Sequence, residues 1–403
     1  MYTPRDIEKD INKYLENKEI IAIVGTRQCG KTTLMQQIIK KLKNVNSLSF
    51  DNVKDLDLFQ NNIDEFIELH VKPYDYLFID EVQYAKDSGK LLKYIYDTQK
   101  IKIFITGSSA PELSIQSMKY LVGRIFIFIL NPFSFREYLR AKEEKLLSLY
   151  DKARFENNIL ERINKHLENF LIYGGYPKVV HAKNDDERKR VLSNIYSTYL
   201  LREIKEILGI RETEPLTKLV KALSLQIGNL INYDELCSIS GLSFVELKKQ
   251  LTILEETYIV KRIPSFHTNK RTELVKTPKI YFIDTGFRNI CIDNFSSERT
   301  DKGALIENFV FAELKKKAIE AKYWRTKSGA EVDFIIQEGT PIEIKQNISN
   351  NTLTRSFVSF ITKYSPKKAF VSSLKYEENI KKENTFVHFV PLAKLLQKVL
   401  EKN

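Results

Sequence analysis

Apolar and polar positions change their rhythm along the chain. In the first third, short apolar runs recur: Ile20–Gly25, Ser47–Phe50, Tyr76–Asp80, Lys102–Gly107 and Ile125–Leu130. Each has the length of a strand, and helical segments such as Thr33–Lys43 lie between them. Apolar strands alternating with helices predict a parallel sheet covered on both faces. After Asn131-Pro132 the spacing is helical as far as residue 207, broken by the turn Tyr173-Gly174-Gly175-Tyr176-Pro177. A short helix is then predicted over Tyr233–Ser240, a turn at Gly241, and a longer helix over Ser243–Tyr258. Ser243 is its N-cap, Glu246 takes the capping-box position, and Leu247, Leu251 and Leu254 form its core stripe.

Two extended segments, Ile259–Pro264 and Lys279–Ile283, follow with a polar loop between them. Helix, turn, helix and hairpin in this order read as a winged helix. The remainder returns to α/β: a helix at Gly303–Lys317, strands at Glu331–Gln337, Pro341–Ile344 and Ala369–Ser372, and a terminal helix. The whole is an α/β chain expected to divide at 1–131, 132–210, 211–290 and 291–403.

Composition narrows the partners. The 403 residues hold 64 Lys+Arg against 52 Asp+Glu, a net charge of +12. Such an excess favours a polyanion partner. Cys29, Cys237 and Cys291 lie far apart, against a disulfide framework or a zinc finger. The start, MYTPRDIEKD, has no apolar leader core, and the longest apolar run is far below the ~18 residues of a membrane span. The expectation is a soluble, cytoplasmic protein with no membrane partner.

The strongest chemical signal is Gly25-Thr26-Arg27-Gln28-Cys29-Gly30-Lys31-Thr32, followed by Thr33. It fits the phosphate-binding pattern GxxxxGK[ST] and sits between a predicted strand and a predicted helix. Backbone amides and the helix N-terminus cradle phosphates, Lys31 reaches the β/γ oxygens, and the Thr32 hydroxyl ligates Mg²⁺. The strand Leu77-Phe78-Ile79 ends in Asp80-Glu81. Asp80 is placed to hold Mg²⁺ and Glu81 to polarise the attacking water. Ser108, or Thr106 before it, supplies a hydroxyl at the end of the third strand for the γ-phosphate or the water. Arg124, just before the last strand, is a candidate finger toward a neighbouring subunit's nucleotide, which implies a homo-oligomer. ATP and Mg²⁺ are the cofactors expected.

Together these features resemble the AAA+ ATPases. More closely, the phrases GTRQCGKTT, LFIDEVQ, ITGSSA, LNPFSFREYL, YGGYPKVV and PKIYFIDTGFRN resemble a family of archaeal and bacterial AAA+ proteins with an uncharacterised C-terminal domain. The resemblance implies a parallel AAA+ sheet with a helical lid, whose Gly175-x-Pro177 turn places proline near the adenine. Cys29 inside the loop reads as a tolerated small residue, with a thiol that makes ATP binding sensitive to oxidation as the other reading.

A second constellation lies near the end: Glu307 on a helix, Asp333 in Glu331-Val332-Asp333, and Glu343-Ile344-Lys345. Residues two apart on a strand share a face, so Glu343 and Lys345 stand together and Asp333 can meet them across the hairpin. Clustered carboxylates call for a divalent cation, with Asp333 and Glu343 as ligands. The pattern resembles the PD-(D/E)xK core of restriction-endonuclease-like domains, which implies Mg²⁺-dependent cleavage of DNA by Glu307, Asp333, Glu343 and Lys345; Val332 stands where that motif has proline. For the winged helix, Lys248, Lys249 and Gln250 on the second helix and Lys261, Arg262, Lys270, Arg271, Lys276 and Lys279 around the wing are the candidate DNA contacts. The alternative from another class is a nucleotide-dependent switch that binds a protein partner and carries a degenerate nuclease fold.

Overall fold

In the computed structural model, which describes residues 2–108, 118–152 and 156–400, the run Ile20–Gly25 forms β1, buried at every position. Ile20, Ala22 and Val24 pack on one face with Leu77, Ile79, Ile103 and Ile105. Ile21 and Ile23 pack on the other with Phe78, Phe104, Leu34 and Ile38. Burial on both faces is why the run shows no polar alternation. The strands β2 (Val45–Ser49), β3 (Tyr76–Asp80), β4 (Lys102–Ser108) and β5 (Ile125–Ile129) complete a sheet of order β2-β3-β4-β1-β5. Every pairing is parallel. Phe78 and Phe104 stack at its centre with ring centroids 4.2 Å apart. β5 is an edge strand, and Ile127 and Ile129 remain exposed on it. The full cover expected of its apolar run is therefore present on β1 and absent from β5.

By its contacts the chain divides into two units. One is Met1–Phe133 with Thr198–Arg211 and Thr252–Ile259; the other is Ser134–Ser197, Glu212–Leu251 and Val260–Asn403. Among the described residues, no helix is long and apolar enough to cross a membrane.

The helix Tyr233–Ser240 ends at Gly241, which has the positive φ of 74° that glycine adopts without strain. The next helix is Phe244–Glu256. Ser243 N donates to Glu246 Oε2 at 3.0 Å and Glu246 N to Ser243 Oγ at 3.4 Å, the reciprocal pair that starts it. β6 (Val260–Ile263) and β7 (Lys279–Phe282) pair antiparallel. Between them, where a polar loop is expected, lies the short helix Lys270–Val275, capped by the Asn269 side chain.

The last sheet has six strands: β8 (Lys322–Arg325), β9 (Glu331–Ile336), β10 (Thr340–Ile344), β11 (Lys368–Ser373), β12 (Glu378–Lys382) and β13 (Thr385–Pro391), in the order β12-β13-β11-β10-β9-β8. β8, β9 and β10 form an antiparallel meander. β11 then pairs parallel with both β10 and β13. Trp324, Val332, Phe357, Phe360, Val371 and Phe389 build its core. The helix Lys302–Lys316 packs against β7 and β10.

The turn Tyr173–Pro177 and the segment Asp284–Asn289 are two halves of one joint. The helix Asn157–Tyr173 ends with carbonyls that lack partners within the helix. Thr285 Oγ1 donates to Phe170 O at 3.0 Å, and Asn289 Nδ2 to Leu171 O and Ile172 O at 3.0 and 2.9 Å. Asp284 accepts from the amides of Gly175 at 2.7 Å and Phe287 at 2.9 Å. A Cβ on Gly174 would run into the Asp284 carboxylate, and one on Gly286 into the Tyr173 carbonyl. Gly174 thus has a structural reason within its own unit that needs no adenine.

Candidate functional site

β1, β3 and β4 all end on one edge of the parallel sheet, the edge outside which ligands bind in such folds. β1 runs into the loop from Gly25 to Gly30. Gln28 and Gly30 take positive φ, 59° and 97°. A Cβ on Gly25 would clash with the Leu130 carbonyl. The helix Lys31–Ile39 starts at once, so its free N-terminal amides close the loop. Lys31 is buried, and Nζ donates to the Gly25 and Thr26 carbonyls at 3.0 Å each. Arg27 pairs with Glu203. Thr33 lies on the exposed side of the helix.

The two acidic positions behave differently. Asp80, at the end of β3, is buried and accepts from Thr32 Oγ1 at 2.8 Å. Its other oxygen accepts from Thr106 Oγ1. Glu81 N donates to that same threonine oxygen at 3.4 Å. Glu81 itself has φ of 54°, and its carboxylate accepts from Gln83. Thr106, one of the two hydroxyls predicted at the end of β4, is joined to Asp80; the Ser108 side chain lies outside the described residues.

The cysteine and the arginine singled out in the sequence each have a partner within their own unit. Cys29 is fully buried, and Sγ donates to Leu130 O at 3.1 Å, so the thiol faces the core and not the loop. Arg124 lies at the start of β5, whereas the phosphate loop lies at the end of β1, which runs beside β5 in the same direction. Its Nε donates to Asp97 Oδ1 at 2.9 Å and its Nη2 to Oδ2 at 3.3 Å. The role expected of it is on a neighbouring subunit's nucleotide, and within one chain it does not serve the phosphate loop. A residue outside the motif does: Arg5, buried, donates to Cys29 O at 2.9 Å and Asn131 O at 2.7 Å, tying the loop to the strand exit. Its only sequence signal is an arginine in an otherwise unremarked N-terminus.

Residues 17–139 match the AAA domain model. This stretch is an AAA-type ATPase domain. Residues 164–298 and 302–395 match two domains of unknown function (DUF8612 and DUF4143). An uncharacterized protein of Methanocaldococcus jannaschii is 25% identical over 342 residues, covering 82% of this chain and 75% of its own. Another, of Haemophilus influenzae, is 25% identical over 353 residues, covering 83% and 84%. Among solved structures, a Walker-type ATPase of Pyrococcus abyssi covers 72% of this chain and 96% of its own at 15% identity and a TM-score of 0.45. The Aeropyrum pernix ORC1 protein in complex with DNA covers 78% and 96% at 11% identity and a TM-score of 0.33. From scores this low nothing about function follows.

The second unit gathers the other acids. Glu343 pairs with Lys345 Nζ at 2.7 Å, and Thr354 Oγ1 donates to its Oε1 at 3.3 Å. Its Oε2 is buried and accepts no hydrogen bond. Asp333 Oδ2 accepts from Ile344 N at 2.7 Å. Glu307 turns to a different neighbour, accepting from Tyr281 Oη at 2.5 Å with Lys279 Nζ at 3.5 Å. Burial, and then the charge of Asp333, push Glu307 and Glu343 each up to about 7. Burial likewise raises Asp333.

Among the described residues no three His, Cys, Asp or Glu side chains stand as ligands to one ion. The metal ligands expected are Asp333 and Glu343 alone; Glu307, expected beside them, has Tyr281 and Lys279 as its direct partners and still feels the charge of Asp333. Asp333 and Glu343 remain. The buried, unpartnered Oε2 of Glu343 fits a cation, and Mg²⁺ needs only one or two protein carboxylates, keeping water for its other positions.

The predicted DNA contacts separate. Lys248, Lys249, Arg271 and Lys276 are exposed, with Lys248 Nζ lying 4.3 Å over the Phe244 ring. The Lys270 side chain lies outside the described residues. Gln250 and Lys279 are buried, which removes both from the surface. Glu273, the wing's one acid, pairs with Lys322. Nor is the helix pair basic: Asp234, Glu235, Glu246, Glu255 and Glu256 accompany its two lysines. Ile239, Phe244 and Val245 are exposed beside them.

Proposed function

We propose that the chain couples ATP hydrolysis in its first unit to an action on DNA in its second, where Asp333, Glu343 and Lys345 form a Mg²⁺-dependent, nuclease-like site. The supporting observation is the meeting of these three side chains on adjoining strands, with one carboxylate oxygen buried and unpartnered. A carboxylate atom so placed is costly unless it meets a cation. In this reading Lys345 orients the attacking water.

For the ATPase, Lys31 and the amides of the loop bind the β/γ-phosphates, and Thr32 and Asp80 are the residues to hold Mg²⁺. When bound, the metal neutralises charge on the transferred phosphoryl group. Glu81 accepts the proton of the attacking water, and Thr106 orients Asp80. A role for Arg124 on another subunit's nucleotide requires a homo-oligomer and the loss of its Asp97 pair.

The test is incubation of the full chain with labelled linear, branched and single-stranded DNA, with Mg²⁺ and with or without ATP. Cleavage by the wild type, lost in Glu343→Ala while ATP turnover persists, is the expected result. No cleavage of any substrate by the wild type removes the nuclease part.

A second reading has its own observation. The exposed apolar residues Ile239, Phe244 and Val245, set among acids, suit a protein partner better than a phosphate backbone. In that case the chain is a nucleotide-dependent switch. DNA that stimulates ATP turnover favours the first reading; turnover indifferent to DNA favours the second.

A further inference from the structure

Strand β7 belongs to the two-stranded hairpin and not to the six-stranded sheet, yet two of its side chains enter the acidic corner. Lys279 and Tyr281 are two apart and share a face. The Lys279 side chain is 2% exposed and pairs with Glu307 and Glu331. Tyr281 donates to the same Glu307 oxygen that faces Lys279. Gly228 closes the other side: a Cβ there would stand 3.2 Å from Glu307 Oε1. Four carboxylates thus meet two ammonium groups, with the half-exposed Arg325 guanidinium 3.4 Å from Glu331 Oε2 at the rim. Lys345 serves Glu343, and Lys279 serves Glu307 and Glu331. A buried ammonium is tolerated only where opposite charge surrounds it. Here burial disfavours the ammonium, but Glu307, Glu331 and Asp333 outweigh it and keep Lys279 charged.

We propose that the Lys279 ammonium stands in the Glu307–Glu331 half of the corner where a divalent cation would otherwise sit, confining the corner to one such ion, at Asp333 and Glu343. The inference rests on the nuclease-like reading for the second half of the corner only. It makes the hairpin strand part of the site's charge balance, and it explains why Glu307 is not a third ligand to the ion.

Mn²⁺ binding to the full chain, measured by calorimetry and by the signal of free Mn²⁺ in electron paramagnetic resonance, tests it. Without nucleotide, the wild type is expected to bind one ion, which Glu343→Ala is expected to lose. Lys279→Met removes the charge and keeps most of the stem; it is expected to bind a second, and Mn²⁺ is expected to raise its Tm more than that of the wild type. Lys279→Arg, which keeps the charge, is expected to bind one. The double variant Lys279→Met with Glu331→Gln restores the balance and is expected to fold without metal. Three results overturn the proposal: Lys279→Met binding Mn²⁺ as the wild type does; Lys279→Met unfolded and not rescued by Mn²⁺ although the double variant folds; or the double variant unfolded, which would make Lys279 a packing residue. Glu343→Ala is the separate control. If it leaves wild-type Mn²⁺ binding intact, the nuclease-like reading fails while the Lys279 comparison stands.

Discussion

Thr106→Val isolates the hydroxyl that joins the two halves of the ATPase site. Valine has nearly the same shape, favours strands and fits a fully buried position. The substitution removes one donor to Asp80 and one of two acceptors of the Glu81 amide, whose other acceptor is Asp80 Oδ1 at 3.2 Å, and leaves Thr32 as the remaining hydroxyl on Asp80. A hydrogen bond to a charged group contributes about 1.5–3 kcal/mol. At ~1.4 kcal/mol per factor of ten, loss of Asp80 orientation in the transition state lowers kcat by roughly 10- to 150-fold. Lys31 and the loop amides are untouched, so the affinity for ATP is expected to stay within about threefold of wild type, since binding shared by ground and transition states is preserved. Single-turnover hydrolysis together with fluorescent-nucleotide titration separates the two quantities, and Ser108→Ala made in parallel shows which hydroxyl matters. A kcat within twofold of wild type, or an affinity that falls as far as kcat does, would refute the reasoning. So would a larger loss in Ser108→Ala.

Glu81→Gln should bind ATP normally and turn it over at least a hundredfold more slowly, read by the same two assays, because the amide cannot take a proton at the strand end. Gly174→Ala should lower Tm by several degrees, or reduce soluble yield, because its Cβ meets the Asp284 carboxylate at a positive φ. Asp301 gives a pH signature. Burial alone would raise its pKa, but hydrogen bonds from Arg299 and the charge of Arg288 overcome that and hold it at about 2. Its stabilising contribution is therefore complete above the ordinary carboxylate pKa and disappears as pH falls from about 4 toward 2. In Asp301→Asn, urea midpoints compared at pH 6 and pH 3 should differ less than they do for wild type.

The first unit was readable because its signals are local. Strand, loop and helix at Ile20–Ile39 follow one another without interruption, and glycine, lysine and threonine each have a distinct task there. β13 carries a readable alternation, since Phe386 is exposed while Val387 and Phe389 are buried, but its mate β12 is a charged edge strand, Glu-Asn-Ile-Lys-Lys, with little apolar pattern of its own. β8 has only four residues and takes its place from Trp324 in the core of the sheet. Tertiary partners decide the rest. Lys279 looks like any wing lysine until Glu307 and Glu331, 28 and 52 residues later, are seen around it. Thr106 and Ser108 are two apart on one strand, a spacing that puts both on one face in the sequence pattern, and only the position of Asp80 on the neighbouring strand brings out Thr106.

The interleaved course of the chain has a consequence for its birth on the ribosome. The unit that holds the parallel sheet begins at Met1, but two of its pieces, Thr198–Arg211 and Thr252–Ile259, are synthesised after Phe133. At a synthesis rate of ~5–20 residues per second, the span from residue 133 to residue 259 takes about 6–25 s. For that time the nascent sheet waits for segments of its own unit while much of the other unit emerges between them. Ordinary vectorial maturation, one unit finished before the next begins, is therefore closed to this chain, and a fragment cut at residue 133 would be missing part of what it needs to settle.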